Sequence, residues 1–151
     1  MPRGARRLPE RCVECLARAD AVIHAGDFVT TAVLLELEAL GPPVCGVHGN
    51  VDEASLRRRL PATLEVEIGG ARIAVIHDAG PRAGRAERLR ARFPSADCAI
   101  FGHSHLPEHS RFGSFQVFNP GSPTDRRRAP NRSMGVIEVR GGKPSLRHVT
   151  L

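Results

Sequence analysis

Two histidines one residue apart, His103 and His105, follow directly on an apolar run, Cys98 to Phe101, and a glycine, Gly102. Imidazole is the commonest metal ligand. Two of them at i and i+2 past a strand end, with glycine freeing the backbone, can meet one ion from two sides or serve two ions. The same pattern recurs at three more places. Ala21-Val22-Ile23 runs into His24-Ala25-Gly26-Asp27, Val44-Cys45-Gly46-Val47 into His48-Gly49-Asn50-Val51-Asp52, and Ile73-Ala74-Val75-Ile76 into His77-Asp78. Each apolar run stops in residues able to ligate. In an open α/β sheet the carboxyl ends of the strands line one edge, and ligands bind in the crevice there. Four such tips are therefore expected to converge. Aspartate, asparagine and histidine together make a mixed nitrogen and oxygen site, suited to Zn, Mn, Fe or Ni rather than a soft thiolate site.

The segments between the tips read as the elements that hold them. Leu8, Cys12, Cys15, Leu16 and Ala19 fall at helical spacing ahead of the strand ending at His24. A second helix is expected over Ala32 to Leu40, stopped by Gly41-Pro42-Pro43, and a short third over Glu53 to Leu60, ended by Pro61. Thr63 to Ile68, Gly69-Gly70 and Ala71 to Ile76 form a hairpin pattern whose second arm delivers His77. Arg85 to Phe93 reads as a basic helix closed by Pro94, and Arg111 to Phe118 as strand with a turn at Gly113-Ser114. Asn119 to Asn131 is a polar loop rich in proline and arginine, and Ser133 to Arg140 with Ser145 to Leu151 is a closing hairpin. Strands alternate with helices early and pair as hairpins late, which predicts a mixed α/β sandwich of two sheets with helices outside.

With 151 residues, 41% of them hydrophobic, the chain suits one domain spanning 1–151. No apolar run approaches the roughly 20 residues of a membrane span, and no apolar stretch follows the charged N-terminus, so a cytoplasmic protein away from membranes is expected. A net charge of +6 and a pI near 10.4 ordinarily suggest a polyanionic partner. Yet Lys143 is the single lysine among 22 basic residues, a bias that a GC-rich genome produces. Arg57-Arg58-Arg59 reads as solvated surface, whereas Arg126-Arg127-Arg128 follows Asn119-Pro120-Gly121-Ser122-Pro123 and is placed to meet a phosphate. With no Trp, no Tyr and six Phe, platforms for base stacking are few, which leaves nucleic acid open as a substrate without pointing to it. Cys12-Val13-Glu14-Cys15 has no second pair at zinc-finger spacing, and Cys45 and Cys98 sit in apolar strands, so all four cysteines read as reduced thiols.

The ordered set Gly26-Asp27, Gly49-Asn50-Val51-Asp52, His77 and Gly102-His103-Ser104-His105, with Phe118-Asn119-Pro120-Gly121-Ser122 after it, resembles the calcineurin-like metallophosphoesterases, in particular their small bacterial phosphodiesterase branch. The resemblance runs from about Ala21 to the end. It implies a two-sheet sandwich flanked by helices and a metal-dependent phosphoesterase, cleaving phosphodiesters with a two-metal-activated hydroxide. By resemblance, Asp27 bridges two ions, Asn50, His77 and His103 complete the second, and His105 belongs to the first. His24 and Asp52 orient these ligands, and Asn50 also meets the phosphate. Val51 stands where relatives carry a cysteine or histidine able to protonate a leaving group, which favours small diesters or activated leaving groups. Asp78 stands where many relatives have glycine.

The family pattern opens with a strand ending in Asp-x-His, which supplies the first metal and comes just before a basic, proline-containing segment like Pro2 to Pro9. That motif is absent upstream of His24, so the expectation is an N-terminally truncated domain lacking its first strand, its hydrolysis impaired, binding one divalent ion where the complete protein binds two. The alternative within the same fold is a non-catalytic interaction module, as in the family's retromer subunit. A nucleic-acid phosphodiesterase is the third reading.

Overall fold

A computed structural model describes residues 7–151. The basic opening segment, up to Arg6, lies outside the described residues. Glycine pairs and buried apolar runs account for most of the architecture. Central to it is a five-stranded sheet of order β3-β4-β5-β7-β6, built from β3 (Thr63–Ile68), β4 (Ala71–Ile76), β5 (Cys98–Phe101), β6 (Glu108–Phe112) and β7 (Phe115–Asn119). β4, β5 and β7 run parallel to one another, and β5 and β7 are buried along their whole length. Strands covered on both faces need near-continuous apolar sequence, which is what Cys98 to Phe101 supplies. Gly69 and Gly70 both take left-handed φ, 59° and 84°, the requirement of a two-residue turn between twisted antiparallel strands.

One face of this sheet, with Ala74, Ile76, Ala99, Phe101, Phe115 and Val117, packs on Leu89 and Phe93 at α4 (Arg85–Arg92). The opposite face, with Ile73, Val75, Ile100 and Phe118, meets a second strand layer through Ile23, Ile137 and Leu146. Two separate ladders make that second layer. β1 (Val22–His24) pairs in parallel with β2 (Val44–Gly46), and β8 (Ser133–Arg140) pairs antiparallel with β9 (Lys143–Thr150). Outside it lie α1 (Glu10–Ala17), whose Cys12 packs against Met134 and Val149, and α2 (Thr31–Glu38) with α3 (Ala54–Arg59), which enclose Phe28. The fold is thus a mixed α/β sandwich flanked by helices.

The helices end within one or two residues of the expected bounds, and two strand starts differ from the reading of the sequence. β6 begins at Glu108, ahead of the strand expected from Arg111, and β9 begins at Lys143 rather than Ser145. β6 is an edge strand whose residues remain largely exposed, so no apolar alternation marks it. Among the described residues no helix is long and apolar enough to cross a membrane. All four cysteines are free, and burial raises the Cys12 thiol to about 11 and the Cys98 thiol to about 12, so both stay protonated at neutral pH.

Phe28 is fully buried beneath Gly46, where a Cβ would come within 2.8 Å of the phenyl ring. Its removal opens a cavity between β1, β2 and the helices. Phe28→Ala is expected to lower the unfolding free energy by about 3–5 kcal/mol, read as a fall in the urea midpoint at unchanged m-value.

Candidate metal centre at the strand tips

The loops after β1, β2, β4 and β5 bring Asp27, Asn50, His77 and His103 together. His77 is the hub. Its Nδ1 lies 2.7 Å from the carbonyl oxygen of Ala25. A carbonyl only accepts, so Nδ1 carries the proton, and in the neutral ring Nε2 presents a lone pair. That lone pair faces other acceptors: Asn50 Oδ1 at 2.9 Å and Asp27 Oδ1 at 3.3 Å. His103 Nδ1 lies 3.0 Å from the same Asn50 oxygen and 3.3 Å from His77 Nε2. The lone pairs of His77 Nε2 and of the Asn50 and Asp27 oxygens repel unless a cation or a donated proton sits among them, and an aspartate, an amide oxygen and two imidazoles fit a divalent transition metal. Among the described residues no group of three or more His, Cys, Asp and Glu side chains is placed to hold a metal ion by itself; the amide oxygen of Asn50 completes this gathering. Burial falls from Asp27 and His77, each 6% exposed, through half-buried His103 to exposed Asn50, so the centre opens to solvent on the Asn50 side.

The backbone that aims these groups is strained. Asp27, Val29, His103 and His105 all have positive φ, at 63°, 75°, 62° and 60°. Such non-glycine positions cost on the order of 1–3 kcal/mol each and persist only where neighbours over-determine them. Asp52 is the chief restraint. Its two carboxylate oxygens accept from the backbone N–H of Val29 at 2.6 Å and of Gly49 at 2.7 Å, tying the Asp27 loop to the Asn50 loop. Gly49 must be glycine, since a Cβ there would overlap the backbone and side chain of Asp27. Arg57 donates from Nε to the Asp52 carbonyl at 3.0 Å and contacts the Asn50 carbonyl. It is exposed, as its cluster suggested, yet it braces the ligand loop.

Other expected residues sit around this core. His24 stacks on Phe28 with centroids 3.7 Å apart, and its buried Nδ1 has no hydrogen-bond partner among the described residues. Burial pulls its pKa down to about 3. His105 turns away, its Nδ1 2.9 Å from the carbonyl of Asp125, and burial, with the Arg127 guanidinium next, holds its pKa below the usual value. Asp78 is exposed and accepts from Gly80 N–H in its own turn.

Two positioning residues escape a reading of the sequence. Asn119, fully buried, donates from Nδ2 to the Gly102 carbonyl at 2.9 Å and to Ser104 Oγ at 3.1 Å, fastening the turn that carries both histidines. Its place at the end of apolar β7 is the same signal that marks the other tips. Asp125 has no such signal, because its contact with His105 is made by backbone in an irregular loop. From the same loop, Arg127 Nη1 reaches the His103 carbonyl at 2.9 Å, which brings one arginine of the second cluster to the rim of the site.

A family model described as the calcineurin-like phosphoesterase superfamily domain matches residues 4–142. The chain belongs to that superfamily. A probable metallophosphoesterase from Methanothermobacter thermautotrophicus is 32% identical over 145 residues, with 95% of this chain and 83% of the relative covered. Among solved structures, Vps29 from Entamoeba histolytica in complex with Zn2+ superposes with a TM-score of 0.77 at 22% identity, covering 99% of this chain and 93% of that one. A structure described as a novel archaeal phosphodiesterase superposes at 0.74 with 21% identity, covering 93% and 90%. At those identities the last two establish the shared fold.

Asp52→Asn leaves one backbone N–H facing an amide group that cannot accept it. It is expected to cost about 1.5–3 kcal/mol in urea unfolding and to weaken metal binding about 10–100-fold by titration calorimetry. His24 supplies a pH test. Unfolded, it gains a proton below about 6.5; folded, it stays neutral down to about 3, so the unfolded state binds more protons between these values and stability falls as pH falls through that window. Between pH 7 and 5 the wild type should lose about 2 kcal/mol more than His24→Phe, measured by urea unfolding at the two pH values.

Proposed function

We propose that this phosphoesterase-family chain is a divalent-metal-dependent phosphodiesterase acting on a small phosphodiester, with Asp27, Asn50, His77 and His103 holding an ion. The observation that carries the reading is the fixed tautomer of His77, which turns its Nε2 lone pair toward two further oxygen acceptors. The Zn2+ complex of the Vps29 relative and the phosphodiesterase of the same fold support it. Bound there, divalent ions supply Lewis acidity, polarising phosphoryl oxygens and lowering the pKa of water. Mn, Ni, Zn and Fe all suit the donor set.

The chain's own residues do the rest. Asp27 brings negative charge to offset the ion, and its buried position excludes bulk water from that side. Asn50, exposed at the mouth, has an amide nitrogen able to donate to a phosphate oxygen while its oxygen ligates. Arg127, anchored on the His103 carbonyl, places a permanent cation at the rim to receive the substrate's charge. Val51 follows Asn50 with no proton to give, so the leaving group departs unaided and must be a good one.

An aryl phosphodiester is cleaved with Mn or Ni faster than the matching monoester and at least about a hundredfold faster than an alkyl diester, in a spectrophotometric assay. Chelation or Asp27→Ala abolishes this turnover; turnover that survives both overturns the reading. Arg127→Ala raises KM about tenfold with kcat little changed, the pattern of lost ground-state binding. In titration calorimetry with Mn or Zn, residues 1–151 take up about one ion per chain. His103→Ala removes that uptake and His105→Ala spares it, because His105 turns toward Asp125. Equal losses from the two variants would refute the division of roles.

A further inference from the structure

One guanidinium outside the strand tips reaches both chain segments that bring histidines to them. Arg85, the first residue of α4, donates from Nη2 to the Gly80 carbonyl at 2.7 Å, three residues past His77. Its Nη1 donates to Glu108 Oε2 at 2.5 Å, three residues past His105. Its Cζ stands 4.6 Å from the centroid of the Phe101 ring, two residues before His103. Further bonds carry these contacts onward. Arg88 donates to the carbonyls of Ala79, Pro81 and Ala83 and so closes the loop that holds Gly80. Glu108 lies in register with Asn119, the residue that fastens the histidine turn. Between the two segments, Gly102 N–H donates to the His77 carbonyl at 3.0 Å.

As a source of stability this arrangement is poor. The side chains of Arg85 and Glu108 are 11% and 17% exposed, so both charges have lost most of their water, and the attraction within such a pair commonly does no more than offset that loss. Arg85 Nε is buried with no hydrogen-bond partner among the described residues. A cation in the first turn also opposes the dipole of its own helix. Apolar side chains of similar length could fill the same space without these costs. They could not bond a carbonyl and a carboxylate from one rigid plane, which the guanidinium fork does. We propose that Arg85 is a positioning residue: through Gly80, Phe101 and Glu108 it holds the segment of His77 against the segment of His103 at the spacing a divalent ion needs, and the stability of the fold does not depend on it. The inference rests on the reading of the strand tips as a metal centre, and its test separates the two.

Arg85→Met combined with Glu108→Leu removes both charges together and leaves no buried ion unpaired. Urea unfolding of this double variant should give a midpoint equal to or above that of the wild type, while titration calorimetry with Mn gives a Kd at least about tenfold higher. In the metal-free proteins, the Gly102 amide should exchange with solvent at least about tenfold faster in the double variant, followed by 15N NMR. Arg85→Lys keeps the charge without the fork, so it should stay folded and still weaken Mn binding several-fold. A lower urea midpoint for the double variant would make the pair a brace of the fold. Wild-type Mn affinity, or wild-type protection of Gly102, in the double variant would separate Arg85 from the site. Either result overturns the proposal. Absence of Mn binding by the wild type overturns instead the reading of the strand tips, and the exchange of Gly102 then decides by itself whether Arg85 holds the two segments together.

Discussion

The hydrogen bond from His77 Nδ1 to the Ala25 carbonyl, 2.7 Å long, joins the two strand layers at the point where the chemistry lies. It runs from the end of β4, in the central sheet, to the loop after β1, in the second layer. By placing the ring proton on Nδ1 it also commits Nε2 to be an acceptor. One bond therefore ties the two layers together at the site and sets its character. The close approach it requires leaves no room at Gly26, where a Cβ would lie 2.5 Å from that nitrogen.

Around it the protein holds an unfavourable arrangement by surrounding it with favourable ones. Four positive-φ residues and the His77 lone pair facing two acceptor oxygens are each costly in isolation. They are offset by the two backbone bonds to Asp52, the Asn119 contacts under the histidine turn, and the continuous apolar packing of β4, β5 and β7 just beneath. Phe118 shows the same economy of placement. His148 stacks on one face at 4.3 Å, His109 meets its edge, and Gly135 lies so close that a Cβ would come within 2.5 Å of the ring. These two histidines are thereby structural, their ring nitrogens bonded to the Asn119 carbonyl and the Gln116 side chain.

Much of the fold was legible because burial on both faces leaves a mark in the sequence. β4 and β5 announce themselves as apolar runs, and the paired glycines at 69–70 and 141–142 announce the hairpins. β6 did not, because an edge strand in contact with solvent carries no such pattern. The site followed the same logic. Asp27, Asn50, His77 and His103 stand at the ends of readable strands, so their convergence could be anticipated from order alone. Asn119 ends a readable strand as well, but its partner is a turn that no local pattern reveals.

The sequence by itself determined which residue types lie at the strand tips, that the sheet is mixed, and that metal chemistry rather than thiol chemistry suits the donors, since these depend on local spacing and side-chain identity. Only the tertiary structure decided the protonated nitrogen of His77, the turning of His105 toward Asp125 and the exposed Arg57 as a brace. Apart from Arg57, whose partners Asp52 and Asn50 lie close in the chain, each of those depends on a neighbour at least twenty residues away or on the distance between two layers. Such contacts arise from packing, and periodicity along a sequence carries no record of them.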